Sequence, residues 1–382
     1  MAVQRICDAM LPELARVFSV SLGQAAQVVS VFAIVYGAAQ LFYGPMGDRL
    51  GKFRIVTYAT LACSVGSVLA VFASSLGMLL VARVMVALGA AAIIPLAMAW
   101  VGDIAPPDQL QETLAKVGLG STLGIVGGQL LGGLLTDILG WRWAFGFTAV
   151  LFMVVGSLLC ANWQAQRAAA ATTAMLAIDD PVTRPGFVAQ ALTIITGSWS
   201  RVVLAVAFIE GATGFGVLAV WASHLHDSLG LSLTLAGAIV ALFGLGGVVY
   251  MATARYLINR LGQPRLTRLG AGLVGLSALM VALTPYWLLA LPACLLGGFG
   301  FFMLHNTLQA NAAQMAPAAR GTAVSLFAAS LFLGQSVGVF IAAELIDRIG
   351  SAAVVATGGM LVLAVGIYFA MALDRRESLF NS

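Results

Sequence analysis

The sequence predicts an all-α, polytopic membrane protein built as two pseudo-symmetric helical bundles. Its plan is one of twelve spans, of which eleven are complete. Three observations point there: the composition, the spacing of apolar runs, and an internal repeat. Of 382 residues, 61% are hydrophobic and 9% are charged, against roughly 45–50% apolar and about 25% charged in soluble domains. So few charges could not cover that much apolar surface in water, which excludes a soluble enzyme, and nothing is polar enough for a disordered chain.

A membrane span needs about 20 mostly apolar residues. Such runs occur at 25–45, 54–74, 77–101, 112–139, 142–161, 201–223, 232–258, 266–285, 287–312, 321–346 and 352–373. The first 24 residues hold neither a span nor the apolar core of a signal peptide. Lys and Arg set the orientation. With the loop of Arg49, Lys52 and Arg54 cytoplasmic, the same side collects Lys116, Arg167, Arg184, Arg201, Arg255, Arg260, Arg265, Arg268, Arg320, Arg375 and Arg376. The opposite side keeps Arg5, Arg16, Arg142 and Arg348. A multi-pass protein of the cell (inner) membrane with a cytoplasmic C-terminus is expected.

The repeat explains the odd number of spans. Asp48-Arg49-Leu50-Gly51 returns as Asn259-Arg260-Leu261-Gly262, and Gly124, Gly128, Asp137 and Gly140 return as Gly334, Gly338, Asp347 and Gly350. Phe18-Ser19-Val20-Ser21-Leu22 matches Leu229-Gly230-Leu231-Ser232-Leu233 in the same register. The halves are therefore 1–161, with spans two to six and the remnant of span one near Asp8 and Pro12, and 201–382, with spans seven to twelve. A late start codon or a truncated gene is the expected cause. Residues 162–200, broken by Asp179-Asp180-Pro181 and Arg184-Pro185, form a cytoplasmic linker, with 187–195 as a short interfacial helix.

At the mouth of the first run lies Gly44-Pro45-Met46-Gly47-Asp48-Arg49-Leu50-Gly51-Lys52-Phe53-Arg54. Its glycines permit close helix approach, and Asp48 suits a helix N-terminus or a basic partner. The segment resembles the loop signature of the major facilitator superfamily, G-x-x-x-D-R-x-G-R/K-R/K. Gly44, Asp48, Arg49, Gly51 and Lys52 match, whereas Phe53 stands where a second basic residue is usual. The resemblance implies that this corner, Gly47 included, gates the transporter rather than touching substrate. A generic positively charged loop is the competing reading.

Gly120, Gly124, Gly128 and Gly132 recur every fourth residue, with Gly127 and Gly133 beside them, so one helix face is bare for tight packing in lipid. Residues 124–133 resemble the fifth-span signature of family antiporters, G-x-x-x-G-P-x-x-G-G, with Gln129 in place of proline. Packing alone is the alternative. The segment Gly140-Trp141-Arg142-Trp143-Ala144-Phe145 resembles one in drug-exporter-like members.

Ionisable residues inside spans are the sharpest functional clues, because a charge at mid-bilayer costs about 3 kcal/mol or more. Glu210 lies about 13 Å into its span at the helical rise, without a counter-charge on its own helix, and is the candidate proton carrier. Arg83 followed by Gly89 resembles the fourth-span signature, which implies a cavity-lining role in proton transfer or anion binding; snorkelling is the alternative. His305, Asn306 and Gln309 share a face by their three- and four-residue spacing, and histidine is the residue type suited to a proton relay; inter-helix hydrogen bonding competes. By resemblance, Arg83, Glu210 and His305 fall on the cavity-lining spans four, seven and ten. Glu344, Asp347 and Arg348 read as a solvated ion pair, and His224, His226 and Asp227 as an outer-loop cluster too sparse for metal.

No catalytic constellation or phosphate loop occurs, and the scattered cysteines Cys7, Cys63, Cys160 and Cys294 fit neither disulfides nor zinc. No cofactor, metal or nucleic-acid partner is expected; the partners are a small-molecule substrate, protons and the bilayer, for a monomer. The expected function is proton-coupled efflux of small, largely apolar compounds by alternating access. Proton-linked uptake of a small organic anion through Arg83, and a non-transporting sensor or inactive remnant, are the alternatives.

Overall fold

Apolar runs in lipid must satisfy every backbone amide within the segment, which leaves the helix as the natural solution. The computed structural model describes residues 1–104, 110–173 and 187–381. Short elements come first: α1 (Ala2–Arg5), a 3-10 turn (Asp8–Met10), α2 (Leu11–Phe18) and α3 (Leu22–Ala25). The long helices of the first half follow as α4 (Gln27–Leu50), α5 (Lys52–Val71), α6 (Leu76–Ile104), α7 (Leu110–Leu139) and α8 (Trp141–Thr173). The second half holds α9 (Phe187–Thr196), α10 (Ser198–Glu210), a π-helical turn (Gly211–Gly216), α11 (Trp221–Leu229), α12 (Leu233–Leu283), α13 (Trp287–Gln314), α14 (Arg320–Ile349) and α15 (Ser351–Asn381).

Among the described residues, ten helical stretches are long and apolar enough to cross a bilayer. One of them, α12, is two spans sharing a corner: Gly262 takes φ 69° and ψ 169° inside it, two residues before Pro264. The eleven runs of the sequence are thus accounted for. Of the expected linker, a short helix is present as α9, whose Ile194 is buried with Ala323 and Leu326, while 174–186, with Asp179, Asp180, Pro181, Arg184 and Pro185, lie outside the described residues.

The backbone itself carries the repeat. Among the described residues, left-handed φ values occur at Ser19, Gly51, Gly140, Gly230, Gly262 and Gly350. They pair off as Ser19 with Gly230, Gly51 with Gly262 and Gly140 with Gly350, in the register read from the sequence. Each pair marks the same corner in the two halves, so the bundles share their turning points.

Two seams join the halves. Along α4 and α14, Ser30 and Ser336 exchange hydrogen bonds, each hydroxyl donating to the other's carbonyl at 2.9 Å. Gly37 lies so close to Phe332 that a Cβ would sit 2.8 Å from that side chain. Along α7 and α12, the Asp137 carboxylate accepts from the Thr234 amide and hydroxyl at 2.6 Å each, capping the start of α12. A Cβ at Gly237 would come within 2.6 Å of the Gln129 carbonyl oxygen.

The glycine face of α7 holds the first residues of the chain. A Cβ on Gly124 would be 3.1 Å from the Ala2 amide, one on Gly128 2.5 Å from the Ala2 carbonyl oxygen, and one on Gly132 would overlap the Ile6 carbonyl oxygen. Gly133 faces the other way, against the Leu233 backbone. The duplicate contact exists in the second half, where Gly338 abuts the Ala212 carbonyl and Gly334 that of Phe208. Residues 1–6 therefore occupy, against α7, the place that the π turn after Glu210 occupies against α14.

These backbone contacts cannot be relieved by a rotamer change. Gly132→Ala should lower the unfolding temperature of the detergent-solubilised protein, at a cost of about 1–3 kcal/mol. Gly127→Ala, on the same helix with open space around it, should leave it unchanged or slightly higher.

Candidate functional site

Residues 3–8 form the middle of the site. Arg5 is 1% exposed and Asp8 fully buried, and the Arg5 guanidinium donates to Asp8 Oδ2 at 3.0 Å. The same guanidinium donates to the Phe215 carbonyl at 3.3 Å and lies 4.7 Å from the centroid of that ring. Gln129 Nε2 donates to Asp8 Oδ2 at 3.0 Å. Arg5 and Gln129 thus share one oxygen of the buried carboxylate, and Asp8 Oδ1 is buried with no hydrogen-bond partner among the described residues. Gln4 donates across the seam to Gln335 at 3.1 Å.

Arg83 is fully buried, so it does not snorkel. Its Nε and Nη1 donate to the carbonyls of Val28 and Val3 at 3.0 and 2.8 Å, and its guanidinium carbon lies 4.2 Å over Phe32. The cation is held by backbone dipoles and a π face, and it fastens residue 3 to α4.

Glu210 closes α10 and is fully buried, with Oε2 3.1 Å from His305 Nδ1 on α13. Its counterpart is therefore on a helix distant in sequence. Glu210 Oε1 is buried with no hydrogen-bond partner among the described residues. His305 stacks on Phe301 with centroids 5.5 Å apart and 13° between planes, and meets Phe215, Phe302 and Phe327 within 6.2 Å. The π turn accommodates an extra residue between Glu210 and Phe215, so both reach His305. One path, part polar and part aromatic, now runs from Arg83 to the Val3 carbonyl, along the backbone to Arg5, and through the Phe215 ring to His305 and Glu210, with Asp8 and Gln129 beside it.

The remaining expected site residues divide. Asn306 lies beside Tyr250 on α12, and Gln309 is exposed one turn further on. At the corner, a Cβ on Gly47 would lie 2.5 Å from Leu96, Gly51 takes φ 91°, and Lys52 pairs with Asp103 at 2.6 Å. Gly44 has open space around it and Arg49 is exposed. The Asp48 side chain lies outside the described residues.

Some placements differ from the sequence reading. Arg5, counted with the outer loops, is inside the bundle, because its charge is neutralised by Asp8 one turn away. His224, His226 and Asp227 are on α11 rather than in a loop. His224 Nδ1 and Nε2 meet Ser351 and the Val281 carbonyl at 2.8 and 3.2 Å, and among the described residues no metal-binding cluster occurs. Arg348 pairs with Glu344 at 2.7 Å, both exposed, as expected. The signal that could have found Arg5 and Asp8 was the repeat itself, which aligns Arg5 with Phe215.

With the geometry in place, comparison with known proteins gives a consistent picture. The sequence profile described as Major Facilitator Superfamily matches residues 2–339. The chain is 28% identical over 272 residues to a chloramphenicol resistance protein of Pseudomonas aeruginosa, a match covering 68% of this chain and 60% of that protein. It is 21% identical over 360 residues to the uncharacterized MFS-type transporter YbcL of Bacillus subtilis (strain 168), covering 94% of this chain and 88% of the relative. Among solved structures, the nucleoside transporter NupG (D323A mutant) superposes with a TM-score of 0.77 at 10% identity, over 97% of both chains. That likeness shows the fold.

The buried Arg5–Asp8 pair makes a specific prediction. Arg5→Met leaves a carboxylate buried without its cation and should destabilise the protein by about 3–5 kcal/mol. Arg5→Met combined with Asp8→Leu should recover most of that loss. Unfolding midpoints of the two variants against the parent check it.

Proposed function

The chain belongs to the Major Facilitator Superfamily, and from that premise we propose that it is a proton-coupled exporter of small, largely apolar compounds. That it is a multi-pass membrane transporter of small molecules, and not an enzyme, follows from the family. Coupling, direction and substrate class are the further reading. It is supported most by one observation: Glu210, fully buried, touches His305 through one oxygen and nothing polar through the other.

With one proton between Oε2 and Nδ1, the Glu–His pair carries no net charge. Adding or removing a proton leaves a net charge in a nearly dry aromatic setting, where it costs several kcal/mol unless water or another group reaches it. Tilting the halves supplies such access in alternation. Arg5 senses the change, because the Phe215 ring contacts both its guanidinium and His305. The corner at Gly44–Lys52 serves as the gate, its Lys52–Asp103 pair bracing α5 against α6.

The wall around His305 is built of Phe rings, which suits apolar and aromatic cargo. The name of the chloramphenicol resistance relative agrees with that class. Uptake of an organic anion needs Arg83 to reach a carboxylate; its Nε and Nη1 are engaged by two carbonyls and its face by a ring, while Nη2 is buried without a hydrogen-bond partner among the described residues. The protein acts in the inner membrane as a monomer with a cytoplasmic C-terminus.

Glu210→Gln tests the reading. In proteoliposomes loaded with labelled apolar compounds, chloramphenicol first, a pH gradient should drive movement in the parent and not in the variant. Exchange at equal pH should persist in both. Unchanged gradient dependence in the variant would remove Glu210 from coupling.

A further inference from the structure

A cavity of about 590 Å³ lies between the start of α10 and the end of α15, away from the polar path. Its floor is apolar: Val202, Met371, Ala372 and Tyr368, the last 52% exposed. Its rim is basic, formed by Arg375 and Arg376 with the Ser198 hydroxyl beside them. The boundary between floor and rim is where the apolar run of α15 ends, at the level of lipid headgroups.

Three features make the rim a receptor for an anion. The Arg376 guanidinium carbon lies 4.4 Å from the Trp199 ring centroid, and Trp199 stacks on Phe369 with centroids 6.1 Å apart, so the cation rests on an anchored ring. The Trp199 indole N–H is buried with no acceptor among the described residues, and an orphaned donor of this kind calls for an acceptor oxygen. Gly197 at the N-cap of α10 provides no side-chain cap, so the first-turn amides of that helix have no acceptor from the cap residue. The nearby carboxylate, Asp374, pairs with Arg268, Arg376 also donates to Asn311 Oδ1 at 3.5 Å, and Arg375 and Glu377 are exposed.

We propose that this cavity binds one anionic phospholipid, its phosphate against Arg375, Arg376 and Ser198 and its acyl chains over Tyr368 and Met371. The apolar floor argues for a lipid over a free phosphate, since a soluble anion would leave it uncovered. The proposal rests on the membrane placement of the chain and is independent of proton coupling. An annular lipid held here would tie α10, which ends in Glu210, to α15.

The test uses the full chain in detergent, titrated with phosphatidylglycerol or phosphatidylcholine carrying brominated acyl chains, which quench tryptophan on contact. The phosphatidylglycerol should quench at lower mole fraction. Arg375→Gln, a change at an exposed side chain, should weaken that preference about fivefold, and Trp199→Phe should remove the selective component. Equal quenching by both lipids, or selectivity that survives both substitutions, overturns the proposal. Abolition of the selectivity by inorganic phosphate at matched ionic strength also overturns it, marking a site for a free anion. Retained gradient-driven transport in Arg375→Gln would keep the outcome separate from the Glu210 test.

Discussion

The structure turns on an ion pair that must never meet lipid alone. Arg5 and Asp8 are both buried where the two halves meet, and each answers the charge of the other. Placing two ions in such surroundings costs several kcal/mol per ion, and only close geometry with further hydrogen bonds offsets it. The further bonds come from the Phe215 carbonyl and from Gln129, so α7 and the π turn are fixed relative to residues 5–8 by electrostatic necessity. The bare face of α7 then follows as a geometric consequence. Glycines at 124, 128 and 132 are required because the segment bearing this pair must lie directly on the helix that supplies Gln129.

A pair of leucines at those positions would be as stable or more so. What polar contacts add is exchangeability. A hydrogen bond given up by one group can be taken by another, whereas an apolar contact opened at mid-depth leaves a void. Two halves that tilt past one another need contacts of the first kind at their axis, and Ser30 with Ser336 and Gln4 with Gln335 provide them.

Much of this was legible in the sequence because it depends on local rules. Span positions follow from apolar run length, and the corners at Gly51 and Gly262 follow from a repeated motif that also forces positive φ at both. Glu210 and His305 stood out as polar residues in apolar helices. Their contact did not, because 95 positions separate them and helical periodicity carries no information about which faces meet. Arg5 failed for a different reason. Counting charges assigns an arginine outside any long apolar run to a loop, and only a three-dimensional partner such as Asp8 makes its burial affordable. The acceptors of Arg83 are carbonyls, which every residue has, so no side-chain pattern could have marked them.

The duplication sharpens the last point. Arg5 and Phe215 are 210 positions apart, the spacing of the repeat, and they touch each other. Residues in contact with their own repeat equivalents lie on the pseudo-two-fold axis. At such a place an unchanged duplicate would set arginine against arginine, two buried like charges, or phenylalanine against phenylalanine, with nothing to hold a register. Divergence to one of each gives a cation over a ring and a guanidinium donating to a carbonyl. The asymmetry continues outward: the first half keeps its carboxylate with arginine at Asp8, and the second keeps its own with histidine at Glu210. Histidine as a residue type exchanges protons near neutral pH and arginine does not, so on the proposed reading the two halves of one ancestral unit divide the work, one holding charge in place and the other changing it.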